Sequence, residues 1–219
     1  MKQPEPFPTT LVTGFEPFDG DALNPSWLIA QALQGRRVRG TRVQAVQLPC
    51  TFAGALPALQ HALRVYRPVL VLALGQAGRT AISLERVAIN VNDARIPDNA
   101  GVQPIDEAVR RGAPAAYFST LPIKAMAAAL QAAGIAAEVS QTAGTFVCNH
   151  VFYGLMHALR RRPGVRGGFV HVPMLPEQAV SRGNGPGMPL DVMTTGVHLA
   201  LKTALAVRRD RRLVGGALD

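Results

Sequence analysis

Cysteine is scarce in this chain: there are two in 219 residues, Cys50 and Cys148, far apart in sequence. The amino-terminal MKQPEPFPTT has prolines and a glutamate where a signal peptide would carry its apolar core, so reduced thiols in a cytoplasmic protein are expected, not a secreted disulfide scaffold. Long hydrophobic runs are missing too. Apolar stretches such as Val69 to Leu74 end far short of the roughly 20 residues a membrane helix needs, so no membrane association is expected. Aromatic residues make up only 5% of the chain, and none interleave with the arginines behind its formal charge of +9. Those arginines fall in separate clusters: Arg36, Arg37, Arg39 and Arg42 following a helix, Arg160 to Arg162 ending another, and Arg208, Arg209, Arg211 and Arg212 near the carboxyl end. They read as solvated surface, not as a platform for nucleic acid. No histidine pair stands at ligand spacing, so neither a metal nor another cofactor is expected. No Ser/Gly-rich or Pro-rich linker divides the chain, which predicts one domain over residues 1–219, with 1–8 and about 208–219 as mobile tails.

What the chain does have is a 48% hydrophobic content arranged as alternating strand and helix patterns. An apolar strand from Thr9 to Phe15 opens into the loop EPFDGDALNPSW. There the spacing of Gly14 and Gly20 fits neither the Rossmann nor the P-loop pattern. Phe15 and Phe18 flank Pro17, and either fold onto the core or wall an apolar pocket. A helix from Pro25, a strand over Thr41–Leu48 and a helix over Phe52–Val65 lead to the strongest strand, PVLVLALG, with Gln76 just beyond it, where open α/β sheets keep their ligands. ISLERVAINV reads as one further strand, and the irregular stretch from Asn92 to Thr120 as a functional loop or an excursion with strands of its own. Helix, strand, helix, strand and a final helix from Pro189 to Val207 complete the chain. The predicted fold is α/β: a single-domain open, mostly parallel twisted sheet flanked by helices on both faces, a three-layer, phosphorylase/hydrolase-like arrangement.

TAGTFVCNHVFYGLMHAL carries Cys148. With Thr145 as N-cap, Cys148 falls in the first turn of a helix, where unpaired N–H groups and the dipole favour a thiolate. Cys148 also shares a face with Phe152, Leu155 and Leu159, and on this stretch alone an inert core thiol is the favoured reading. A nucleophile needs a base. His150 is about 200° around the same helix, His157 lies more than two turns on, and His61 and His198 sit within surface helices. His171, at the carboxyl end of a predicted parallel strand, is left. Glu85 is aimed at an apolar face with Val87 and Ile89, and needs either a structural ion partner or a role as the carboxylate that orients a base.

These motifs resemble the pyroglutamyl peptidases, a family of cysteine peptidases: TGFEPFDGDALNPSW, LGQAG, ERVAIN, NDARIPDN, PIDE, AAYFSTLPIKAM, AGTFVCNHVFYGLMH and HVPMLPEQ follow in that order through most of the first 180 residues. The resemblance implies Cys148 as nucleophile, His171 as base and Glu85 as its orienter. It also implies a pyroglutamyl pocket from Phe15, Phe18, Ile96, Phe146 and Val147, with Gln76 and Asn24 nearby and Arg95 close to the developing oxyanion. Small peptides with an amino-terminal pyroglutamate are then the substrates, and a homo-oligomer, dimer or tetramer, is expected. Two departures stand out: the family commonly has a second glycine after GQAG where this chain has Arg79, and LPT is usual where this chain has LPC at Cys50. The residues alone leave two rivals, a nucleoside or phosphate-ester enzyme using the Gly14–Gly20 loop, and a basic nucleic-acid-binding module, which arginines gathered on one face would favour.

Overall fold

The computed structural model describes residues 7–216. In chain order it contains β1 (Thr9–Phe15), α1 (Pro25–Leu33), β2 (Arg37–Val38), β3 (Thr41–Leu48), α2 (Phe52–Tyr66), β4 (Leu70–Gln76), β5 (Ile82–Glu85) and β6 (Val87–Ile89). There follow β7 (Ala116–Phe118), α3 (Ile123–Ala132), β8 (Ala137–Ser140), α4 (Val147–Leu159), β9 (Arg166–Val172), α5 (Pro176–Ser181) and α6 (Leu190–Ala206). Side chains set several boundaries. Asn24 Oδ1 accepts from Ser26 N at 3.0 Å to cap α1 ahead of Pro25, and Thr51 Oγ1 accepts from Gly54 N at 3.1 Å to cap α2.

Seven strands form one sheet in the order β2-β3-β1-β4-β9-β5-β8. From β3 to β9 the pairs are parallel; β2 runs antiparallel to β3, and β5 antiparallel to β9 but parallel to β8. Alternation along the strands divides the core in two. Val12, Leu70, Leu72, Leu74, Leu84 and Val170 pack with α1, α3 and α6, whereas Leu11, Phe15, Val71, Ala73 and Phe169 pack with α2 and α4. Gly75 and His171 continue the second series. This three-layer α/β fold is the predicted class.

Four features differ from the sequence reading. ISLERVAINV is not one strand: the chain leaves the main sheet at Arg86, and β6 pairs with β7 in a separate two-stranded sheet. Asn149 of α4 holds that hairpin, accepting from Ile89 N at 3.0 Å and donating to the carbonyls of Ile89 and Val91, each at 2.9 Å. Glu85 therefore shares its face with Ser83, not with Val87 and Ile89. Second, Arg37 and Val38, read only as part of the segment following the helix, form the short strand β2 antiparallel to β3. A two-residue strand, like the six-residue α5, is too short to leave a periodic signal. Third, Thr145 does not cap α4. Its N-cap is Phe146, with no side-chain cap, and Thr145 Oγ1 donates instead to Asp93 O at 2.6 Å.

The fourth is the carboxyl-terminal segment. Asp210 accepts from the backbone N–H groups of Lys124 and Ala125, at 3.0 and 2.9 Å, capping α3, and Gly215 O accepts from Arg86 at 2.9 Å. The segment read as a tail is thus hydrogen-bonded to the domain through residue 215. Residues 1–6 and 217–219, the rest of the expected tails, lie outside the described residues.

Candidate active site

The parallel register of β4 and β9 places Gly75 beside His171. Above Gly75 lies the Cys148 thiol: a Cβ at position 75 would stand 2.8 Å from Cys148 Sγ and 2.8 Å from Phe169 Cζ. Only glycine lets α4 bring its first turn this close to the strand, and neighbouring strands lie about 4.8 Å apart, so the thiol is delivered next to the histidine. His171 is 4% exposed and Glu85 0%. Their side chains meet at 2.7 Å, His171 Nδ1 to Glu85 Oε1. An ionised carboxylate only accepts, so Nδ1 carries the proton and Nε2 is the nitrogen left for chemistry.

The electrostatics of the thiol differ from the sequence expectation. Burial pushes the Cys148 thiol well up, the charges of Cys50 and Glu85 add to this, and Arg79 opposes it. Burial thus acts against the thiolate that the helix terminus favours. Because α4 has no side-chain cap, the N–H groups of its first turn are left without a side-chain acceptor. Cys50 is buried, and its thiol is pushed up to about 12 by burial and by the charges of Glu16 and Asp98.

An apolar wall stands beside the thiol. Phe146 lies against Phe18, with ring centroids 6.2 Å apart, and meets Phe52 edge-on at 5.5 Å. Phe15, Cys50 and Val147 belong to the same buried cluster, against which Cys148 packs. The structure thus brings together Phe15, Phe18, Phe146 and Val147, and adds Phe52, which sequence reasoning missed because it reads as an ordinary core position of α2. Ile96 is half-buried and Arg95 exposed, in the excursion whose Asp93 is tied to Thr145 at the start of α4.

Asn24 and Gln76 both bond to the β1–α1 loop, and Gln76 Oε1 has no partner among the described residues. Asn24 caps α1 and donates to Glu16 O at 3.0 Å, so it shapes the β1–α1 loop. The alternation that aims Gly75 at the thiol turns the Gln76 amide away from that face of the sheet. Its Nε2 donates to Asp21 Oδ2 at 3.2 Å, and Asp21 is paired with Arg182 at 3.0 Å.

A family model described as pyroglutamyl peptidase matches residues 9–207. The chain belongs to the pyroglutamyl peptidase family. It is similar to the pyrrolidone-carboxylate peptidase of Cupriavidus taiwanensis, 56% identical over 214 residues that cover 96% of this chain and 99% of that protein. It is also similar to that of Erwinia tasmaniensis, 56% identical over 208 residues, 94% of this chain and 97% of the relative. Among solved structures, pyroglutamyl peptidase I of Bacillus amyloliquefaciens superposes with a TM-score of 0.90 at 44% identity, covering 93% of this chain and 100% of that one. The pyrrolidone carboxyl peptidase of Thermococcus litoralis gives 0.89 at 36% identity, covering 94% and 99%.

Membership of a pyroglutamyl peptidase family removes the reason for a phosphate cradle in the β1–α1 loop, and the loop itself argues against one. Gly14 is there for packing, since a Cβ would collide with Ser26 O, and the loop carries the carboxylates Glu16, Asp19 and Asp21. Arg64, Arg110 and Arg160 to Arg162 do gather, in a groove between α2 and α4. That groove runs along α4 from Tyr153, and its arginine end at Arg160 is about 18 Å of helical rise from Cys148.

Gly75→Ala is expected to destabilise the fold by about 1–3 kcal/mol, because the new methyl must displace both Sγ and the Phe169 ring. Scanning calorimetry should show a lower Tm, and kcat/KM should fall by about tenfold or more as the thiol moves off His171. A variant with unchanged kcat/KM would mean that this contact does not set the thiol's position.

Proposed function

We propose that this chain is a cysteine peptidase that removes an amino-terminal pyroglutamyl residue from small peptides. One observation carries the reading: Cys148, His171 and Glu85 converge on one face of the sheet, with the thiol over Gly75 and the histidine bonded to the carboxylate. His171 Nε2 takes the thiol proton as Cys148 Sγ attacks the pyroglutamyl carbonyl. The N–H groups at the amino end of α4, with Arg95, receive the oxyanion that forms. His171 then returns the proton to the leaving amine, the C–N bond breaks and a thioester remains. A water deprotonated by His171 releases pyroglutamate and restores the thiol.

The ring specificity follows from the walls. Pyroglutamate is a flat, neutral lactam, and Phe18, Ile96 and Phe146, each partly exposed, offer it apolar and aromatic surface, with Phe15 and Val147 buried in the core beside them. An aminopeptidase must meet an ammonium. The nearby carboxylates are already engaged, Glu16 by Cys50 N and Asn99, Asp19 and Asp21 by Arg182. The same reading places the enzyme in the cytoplasm, where its thiols stay reduced, and as a homo-oligomer, for which Ile105 and Phe118, 71% and 67% exposed, offer apolar surface. No helix among the described residues is long and apolar enough to cross a membrane.

The test is release of a fluorescent amine from its pyroglutamyl amide, with and without iodoacetamide. Turnover should be lost in step with alkylation of Cys148, because Cys148 is partly exposed and stands beside a base, whereas Cys50 is buried without one. Peptide mapping that finds the label on Cys50 alone, with activity gone, would move the reaction centre.

A further inference from the structure

The catalytic carboxylate has a second partner that the reaction scheme does not use. Arg79 Nη1 donates to Glu85 Oε1 at 2.9 Å, on the same oxygen that receives His171 Nδ1 at 2.7 Å, while Glu85 Oε2 has no partner among the described residues. Two donors on one oxygen fix the plane of the carboxylate as well as its position, because each must lie near a lone-pair direction. One histidine alone would leave the group free to pivot about that single contact. Arg79 also reaches across to the connection between β8 and α4: its Nη2 donates to Thr142 O at 2.9 Å. Thr142 in turn accepts from Gly144 N through its hydroxyl at 3.0 Å, and the backbone turns at Gly144 (φ 75°) into the first turn that holds Cys148. One planar guanidinium thus ties the residue that orients the base to the segment that presents the nucleophile. The β4–β5 connection, one glycine shorter than the family's usual pattern, still delivers it there.

We propose that Arg79 is a positioning residue for this reaction: by bridging Glu85 Oε1 and Thr142 O it holds the His171–Glu85 pair in register with Cys148. This rests on the peptidase reading above. The cation also offsets the cost of enclosing a carboxylate that is 0% exposed, while its own side chain keeps 30% of its surface in solvent. That exposure makes the role testable by replacement in solution, and guanidinium geometry matters because a lysine ammonium, a point charge, does not reproduce a fork on two acceptors.

The experiment measures steady-state cleavage of the fluorogenic pyroglutamyl amide by wild type, Arg79→Ala and Arg79→Lys, each with non-denaturing guanidinium chloride or equal sodium chloride. Arg79→Ala should lose about 10- to 100-fold in kcat with KM changed less than about threefold, since no contact to the lactam is removed. Guanidinium, but not sodium, should restore at least about fivefold of that rate, which a merely structural role would not allow. Arg79→Lys should fall between the two; should the alanine variant not fold, the lysine variant decides, and a kcat within about twofold of wild type would overturn the proposal. A folded alanine variant with near-wild-type kcat, or one whose loss guanidinium leaves untouched, would overturn it as well. A wild-type enzyme that does not cleave the substrate at all would instead sink the peptidase reading.

Discussion

Cys148→Ser should lower kcat/KM on a pyroglutamyl amide by more than about 10³-fold while leaving the fold intact. The substitution exchanges one atom at a site where shape is tightly held: Sγ rests over Gly75 with no room for a methyl between. A hydroxyl fits that space but is a far weaker acid and a poorer nucleophile than a thiol. Because burial pushes the Cys148 thiol up, the proposed scheme has the proton pass to His171 as Sγ attacks instead of relying on a standing thiolate. Serine removes the feature that makes that transfer feasible. Thermal unfolding should report a Tm close to wild type, which separates lost chemistry from lost structure. Turnover within tenfold of wild type would remove Cys148 from the role of nucleophile.

The order of elements was legible in the sequence because each signal was local and long: the apolar run of β4, the helical spacing of α4 and the amphipathic α6 all lie where their periodicity places them. His171 could be singled out because a strand's carboxyl end is a topological position, readable from the alternation of elements. Glu85 was found through the right residue and an incomplete picture. The pattern ISLERVAINV alternates as one strand would, but the break at Arg86 is made by tertiary contacts, chiefly the Asn149 amide on Ile89 and Val91, and no local propensity announces it. The antiparallel setting of β5 against β9 is equally silent in sequence, since strand direction depends on the path of the connections. Arg79 was noticed only as the residue following a missing glycine. Its contacts, to a carboxylate six residues on and a carbonyl in another loop, exist only once the sheet is assembled. Gln76, expected just beyond the strand, is the last residue of β4, and the face its side chain leaves from is set by its alternation with Gly75.

Glu85→Gln is expected to cost about 10²- to 10⁴-fold in kcat/KM and to leave the geometry almost unchanged. The arrangement of the carboxylate makes this substitution unusually clean. Both donors, His171 Nδ1 and Arg79 Nη1, fall on Oε1, so the glutamine carbonyl oxygen can keep both bonds while the new amide nitrogen takes the place of Oε2, which has no partner to lose among the described residues. What disappears is the charge. An imidazolium forms on His171 during acylation, and in a buried site a carboxylate 2.7 Å away stabilises it far more than a neutral amide does. The loss should therefore appear in kcat, and the rate of Cys148 alkylation should fall with it, because the same proton transfer feeds both. The comparison with Arg79→Ala then orders the two roles. If Glu85 acts on His171 directly, the glutamine variant must lose more than the alanine variant, since the arginine works only through the carboxylate and Thr142. The reverse order would mean that Glu85 chiefly anchors Arg79, and that the segment from Thr142 to Cys148, not the imidazole, is what the carboxylate holds in place.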